Sequence, residues 1–164
     1  MAILSDVWAG AEMEGGLTMR EILFRGQTRR KGEKVWMDGS PVESNWVYGG
    51  IFQGLNRSVI YGYDPIEKYV VYSDTVGQFT GLTDKNGMKI FEGDIVAQNW
   101  YDHDEPADDS FGEVVFCEYD CSFSVMDVNK DGIVPLGECH AYHWEAEIIG
   151  NIHDNPELLE ASHV

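Results

Sequence analysis

Residues 75–96 read TVGQFTGLTDKNGMKIFEGDIV, and this stretch limits the backbone more tightly than any other part of the chain. Gly77, Gly81, Gly87 and Gly93 recur at short intervals, and glycine enters φ > 0 without a Cβ penalty. Thr83 to Gly87 closes on Asn-Gly, a strong hairpin signal when apolar runs flank it. They do: Val76, Phe79 and Leu82 precede it, and Ile90 and Phe91 follow. Glu92-Gly93-Asp94 reads as a second turn, and Ile95-Val96 opens another strand. The expectation is two tight reversals joining three short segments.

These residues also resemble the signature of the YopX family, small proteins encoded by bacteriophages and prophages. The family pattern T-V-G-Q-[FY]-T-G-L-x-D-K-N-G, followed by I-[FY]-E-G-D-I-V, is met at every position between Thr75 and Val96. Arg20-Glu21-Ile22-Leu23-Phe24-Arg25 resembles the family's N-terminal R-E-I-x-F-R, and Glu147 to Leu159 resembles its C-terminal V-I-G-N-I-x-x-N-P-E-L-L. The resemblance spans about Met19 to Leu159. It implies a largely β fold, phage origin, the cytoplasm of an infected or lysogenic bacterium, and no established activity.

The 164 residues fit one domain, or two small β units sharing an interface. Residues 19–160 make the β domain, with 19–74 and 75–160 as candidate sub-units and 161–164 as a tail. Residues 1–18 look unlike the rest. They hold three acids, three glycines and no periodicity, and we expect a weakly structured extension, with Met19 as a natural start. No run of about 18 apolar residues suggests a membrane span, and the opening MAILSDVWAG lacks the basic region of a signal peptide. Three cysteines, an odd number, point to free thiols.

Charge is divided unevenly. Residues 1–90 carry ten Lys and Arg against eleven acids, a net of −1. Residues 91–164 carry Lys130 alone against eighteen acids, a net of −17. Such a surface repels phosphate backbones, so direct nucleic-acid binding is not expected. It suits a basic protein partner, or serves solubility alone. The densest acidic segment is 101–110, read as an exposed loop, with Asp102, Asp104, Glu105, Asp108 and Asp109 as candidate partner-binding residues. The basic cluster from Arg25 to Lys34 lies between glycines and reads as a solvated hairpin loop between a strand at Glu21–Phe24 and a returning strand at Val35–Met37.

Segments 46–52, 58–63 and 69–73 are rich in Val, Ile, Tyr, Trp and Phe and bounded by turn residues, which predicts strands. Their aromatics pack a core or a strand face, with a ligand-stacking platform as the alternative. Strands are also predicted at 94–100, 111–119, 123–128 and 146–153. Asn155-Pro156 begins a helical turn or two. No stretch of 12 or more residues carries a helical apolar stripe. The class is mainly β: short antiparallel strands in one or two small barrel-like sheets, with Gly-Asp-Ile-Val suggesting an SH3-like barrel in the C-terminal half, and a short C-terminal helix.

Two metal-type patterns occur. Asp127, Asn129, Asp131, Gly132 and Glu138 fit the calcium-loop spacing, which supplies oxygen ligands around a sharp turn. The flanks look like strands, so an ordinary Asp-Gly hairpin loop is the competing reading. Cys117, Cys121, Cys139 and His143, with His140 as a spare, form a possible Cys3His zinc set. Cys117 sits in an apolar strand, where a thiol also behaves as a small hydrophobe. No cofactor is expected, with calcium or zinc as the exceptions to test. No nucleophile elbow, phosphate loop or metalloprotease motif occurs, so no catalytic residue is assigned and the chain is not read as an enzyme. The expected role is a self-associating binding or assembly protein. An acidic decoy of a nucleic-acid backbone, aimed at a host defence or DNA-handling protein, is the alternative.

Overall fold

The computed structural model of the chain describes residues 20–29, 34–37, 40–43, 45–55, 57–62, 67–102, 105–128, 132–137 and 143–160. In chain order these hold β1 (Phe24–Gln27), β2 (Lys34–Met37), β3 (Ser40–Glu43), β4 (Trp46–Gln53), β5 (Ser58–Tyr61), β6 (Lys68–Val71) and β7 (Gly77–Thr83). They continue with β8 (Lys89–Phe91), β9 (Asp94–Asp102), β10 (Glu105–Cys117), β11 (Ser122–Asp127), β12 (Gly132–Pro135), β13 (His143–Asn151) and a single-turn helix, α1 (Glu157–Glu160). The fold is mainly β, as the turn chemistry predicts.

Two antiparallel sheets carry the architecture. The first has the order β6-β5-β4-β1-β7-β8 and the second β12-β11-β10-β9-β13, while β2 and β3 form a separate ribbon. Neither sheet closes into a barrel, so the SH3-like closure expected for the C-terminal half is not formed: β12 and β13 end an open sheet. In the first sheet the chain leaving β1 reaches β6 through the lone bridge Thr28↔Val71.

Alternation explains the strands. In β6, Tyr69 and Val71 are buried while Lys68 and Val70 are exposed, the period-2 pattern of a strand with one wet face. Val47, Ile60, Tyr69 and Val71 pack one core cluster in the first sheet. Ile90, Val96, Val114, Val125 and Ala146 pack another in the second. Leu23, Phe79 and Phe91, with Tyr48 against them, pack a third. The β7–β8 hairpin is thus hydrogen-bonded to the first sheet while Ile90 and Leu82 pack in the core of the second. A boundary after residue 74 does not follow the sheets, because the first sheet runs to Phe91.

The end of the first sheet at Phe91 coincides with the charge division. Apart from the β2–β3 ribbon, described strands up to Phe91 form the first sheet, in the near-neutral part of the sequence, and strands from Asp94 onward form the second, in the acidic part. The acidic stretch expected to be a loop is instead strand: Asp102 ends β9, and Glu105, Asp108 and Asp109 lie in β10, paired to β9 with a register shift between Pro106 and Asp108. Pairing compensates the backbone groups that a loop would leave to water. The N-terminal reading also shifts. The strand begins at Phe24 rather than Glu21, so Arg25 belongs to the sheet and not to a loop. Val35 to Met37 pairs with β3 and not with the first strand.

Candidate functional site

Arg25 shows why the strand placement matters. Its neighbours across the ladders are Tyr48 of β4 and Gly77 of β7, which bury it at the junction of the sheets. The Nη2 atom lies 2.7 Å from Asp94 Oδ1 and donates to the Glu92 carbonyl at 3.2 Å. The guanidinium lies 4.8 Å from the Trp46 ring centroid and 4.9 Å from that of Phe91, within cation–π range on both. Asp94 also accepts the Phe91 N–H at 2.8 Å, closing the Glu92-Gly93 turn. Gly93 makes that turn at φ +76°, donates to Val114 and accepts from Ile152. Burial pushes the Asp94 carboxyl above its usual range, while Arg25 and the Phe91 N–H hold it back. Burial likewise raises the Tyr48 phenol.

The C-terminal motif reaches the same seam. Asp154 accepts from Gln27 Nε2 at 2.9 Å and Trp46 Nε1 at 2.7 Å, and Asn151 Oδ1 accepts the His153 and Asp154 N–H groups. Asp84, in the Asn-Gly hairpin, is buried and accepts N–H bonds from Asn86, Met88 and Ile148. Next to it, the Lys85 N–H donates to the Ala146 carbonyl and its Nζ pairs with Glu147 at 2.6 Å. The hairpin turn is therefore fastened along β13. Through these hydrogen bonds and ion pairs the polar residues join the sheets and hold the architecture.

The open surface lies elsewhere, on the outer face of β4, β5 and β6. Cross-strand register sets two rows there, Phe52–Val59–Val70 and Gly50–Tyr61–Lys68. Phe52 is 57% exposed, Tyr61 43% and Val70 38%. A side chain at Gly50 would meet open space, so the second row is low at that end. Phe52, Val59, Tyr61 and Val70 line a groove of ≈ 370 Å³ with Arg29, Arg57 and Lys68 around it, and among the described residues no carboxylate lines it. Arg57 is placed by the β4–β5 turn, whose carbonyl accepts from Gly54. The Arg29 N–H donates to Val70, and its guanidinium lies over Tyr72 at 5.3 Å. Ion pairs of the described residues include Arg25–Asp94, Lys85–Glu147 and Lys89–Glu21, and among the described residues no carboxylate pairs with Arg29, Arg57 or Lys68. Chemically the face offers aromatic and aliphatic contact edged by positive charge. Sequence reading assigns Arg29 to a solvated turn and the aromatics to packing. The signal that unites them is three-dimensional: cations at 29, 57 and 68 meet only once the strands pair.

The metal-type patterns are only partly covered. Asp127 ends β11 directly opposite Gly132 of β12, so the calcium-type stretch spans a hairpin between strands; Asn129, Asp131 and Glu138 lie outside the described residues. For the zinc-type set, Cys117 and Cys121 flank the β10–β11 turn, and Cys139 lies outside the described residues. His143 stands opposite Tyr101, which stands opposite Pro106. Pro106 and Cys117 are eleven positions apart along β10, roughly 35 Å of strand. The register therefore sets His143 and the two cysteines at opposite ends of the sheet. Among the described residues no group of three or more metal-ligating side chains comes together. Among the partner-binding candidates, Asp102, Glu105, Asp108 and Asp109 fall together on the β9–β10 hairpin, and Asp104 lies outside the described residues. No described helix is long and apolar enough to cross a membrane.

Comparison with known proteins gives a family. The family model described as YopX protein matches residues 29–160. The crystal structure of protein EF1440 from Enterococcus faecalis is similar at 23% identity over 86% of this chain and 99% of that one, with a TM-score of 0.39. No curated protein matches the chain.

Proposed function

The chain belongs to the YopX family, and from that premise we propose that it is a binding and assembly protein acting through protein contacts, with the β4–β6 groove as its contact face. One observation carries this reading: Phe52, Tyr61 and Val70 stand exposed among three cations in a chain of net charge −18. Exposed aromatics ringed by polar groups are the composition of an interface core and rim. Open strand edges, at which further chains can pair, favour self-association. The setting implied by the family resemblance is a phage-infected or lysogenic bacterium, and the role needs no bound metal and no turnover of substrate.

Light scattering across a concentration series tests it. The expected result is a mass above the 18.5 kDa of one chain, falling to one chain in Phe52→Ser/Tyr61→Ser. A mass of one chain at every concentration overturns self-association. The acidic-decoy reading draws support from the concentration of negative charge on the second sheet. Binding to a basic nucleic-acid-handling protein that survives neutralisation of Asp102, Asp104, Glu105, Asp108 and Asp109 together removes the decoy reading at this segment.

A further inference from the structure

We propose that the groove edged by Arg29, Arg57 and Lys68 receives the acidic start of β10 from a second copy, so that the protein assembles head to tail. The inference rests on the groove being a contact face and goes on to name its occupant. The groove sets three requirements on that occupant: negative charge to meet three cations that pair with no carboxylate among the described residues, an extended shape to lie along two parallel rows of strand residues, and modest bulk for a volume of ≈ 370 Å³.

The chain itself supplies such a segment. Glu105, Asp108 and Asp109 lie within five residues of β10, interspersed with Pro106 and Ala107, and Asp102 stands across the ladder from Glu105. This part of β10 is paired on one side alone among the described residues. Its ladder with β9 begins at Glu105, whereas its ladder with β11 begins at Gly112. Among the described residues no strand pairs with the second backbone edge from Glu105 to Ser110, the kind of edge at which a neighbour can add. From Asp94 at the seam, β9 runs eight further residues to Asp102, about 27 Å of strand, so the acidic end stands away from the junction of the sheets.

Charge complementarity between copies follows from the division within each copy. Residues 1–90 sum to −1 and residues 91–164 to −17, so a head-to-tail contact sets the acidic sheet of one copy against the near-neutral sheet of the next. The two surfaces are different patches, which makes the contact heterologous: it closes into a ring or extends, and does not pair by a two-fold. Salt acts in two directions. Below about 20 mM the net charges of −18 repel over long distances. Near 1 M the local cation–carboxylate pairs are screened. Assembly is therefore strongest at intermediate ionic strength.

Two variants of the full chain test this by complementation in analytical ultracentrifugation. Arg57→Glu/Lys68→Glu disables the groove and keeps the acidic segment; Asp108→Lys/Asp109→Lys does the reverse. Each alone is expected to self-associate about tenfold or more weakly than the wild type, with an unchanged far-UV circular dichroism spectrum and thermal midpoint as the check on folding. Mixed in equal amounts, they are expected to form a species of two chains and no larger, because one intact groove meets one intact acidic segment. If the groove variant loses assembly while the β10 variant keeps it, the occupant is wrong and the groove remains the contact face. If both keep it, or the wild type is monomeric at every salt concentration, the contact-face reading fails as well. Binding of a fluorescent single-stranded oligonucleotide that the groove variant abolishes and the β10 variant preserves overturns the second-copy proposal in favour of a nucleic-acid site.

Discussion

Arg25 Nη2 lies 2.7 Å from Asp94 Oδ1, with the two side chains 8% and 2% exposed. This pair ties β1 to the start of β9, and so joins the first sheet to the second. Removing one member of a buried pair leaves the other charge without compensation, which costs about 3–5 kcal/mol. Arg25→Met is therefore expected to lower the urea-unfolding free energy by about that amount, or to abolish soluble expression if the fold is less stable than this. Arg25→Met/Asp94→Leu is expected to recover a large part of the loss. Additive losses in the double-mutant cycle would show that the two side chains act independently.

The acid limb of the stability curve separates two carboxylates that titrate in opposite senses. Burial disfavours ionised Asp84, but N–H bonds from Met88, Asn86 and Ile148 outweigh it and leave the pKa lowered from 3.8. Such a group stabilises the fold above pH 3.8 and withdraws that stability as pH falls through the lower folded value. Asp94 is raised from 3.8 by burial against the opposing pull of Arg25. Its contribution is present below pH 3.8 and is lost as pH rises through the raised value. Asp84→Ala is expected to cost about 2–4 kcal/mol at neutral pH, since it orphans buried N–H groups, and to flatten the fall in urea midpoint on acidification. Asp94→Asn is expected to remove a term of opposite slope, so its midpoint rises more steeply with pH above 4 than that of the wild type. Parallel curves for all three proteins would refute both assignments.

Much of this fold is legible in the letters because turns are local. Asn86-Gly87 and Glu92-Gly93 demand reversals whatever surrounds them, and Gly87 and Gly93 do take positive φ, at 80° and 76°. Strand β4 is also predicted within a residue, because its aromatic and β-branched run is bounded by turn residues. What the letters hide is pairing. Arg25 looks like the first of a basic cluster, and only the ladders to β4 and β7 reveal that it is buried. The acidic stretch looks like a loop because charge repulsion is a local argument, while the β9–β10 ladder that overrides it is not. The groove is hidden for the same reason: Arg29, Arg57 and Lys68 lie 28 and 11 positions apart and carry no motif.

Register separates the zinc-type ligands, and thiol chemistry can check it. Cys121 is exposed and Cys117 half-buried, and both are free. His143 lies at the other end of the sheet and cannot share one zinc ion with Cys117 and Cys121. Both thiols are expected to react with a disulfide reagent in the native protein, at rates that excess zinc changes by less than about twofold. Stoichiometric zinc that protects Cys117 and Cys121 together, and is released by His143→Ala, would contradict the strand register itself.

Gly77 provides a last test, because it differs from its neighbours in the signature. Gly81, Gly87 and Gly93 take positive φ, whereas Gly77 does not. Its constraint is space: a Cβ there would run into the carbonyl oxygen of Glu92. Glu92 cannot withdraw easily, since its carbonyl accepts from Arg25 and its carboxylate accepts the Gln78 N–H at 2.8 Å. At Gly93 the same substitution meets only Ile152 at ordinary contact distance, so its cost is the left-handed backbone, about 1–2 kcal/mol. Gly77→Ala must push apart backbone at the seam, an overpacking cost at the upper end of about 1–3 kcal/mol or beyond. Thermal unfolding is therefore expected to show a larger drop in midpoint for Gly77→Ala than for Gly93→Ala. The damage at Gly77 should also shrink in an Arg25→Met background, where the Glu92 carbonyl is released to move. Equal losses in both backgrounds would place the cost of Gly77→Ala outside the Arg25–Glu92 contact.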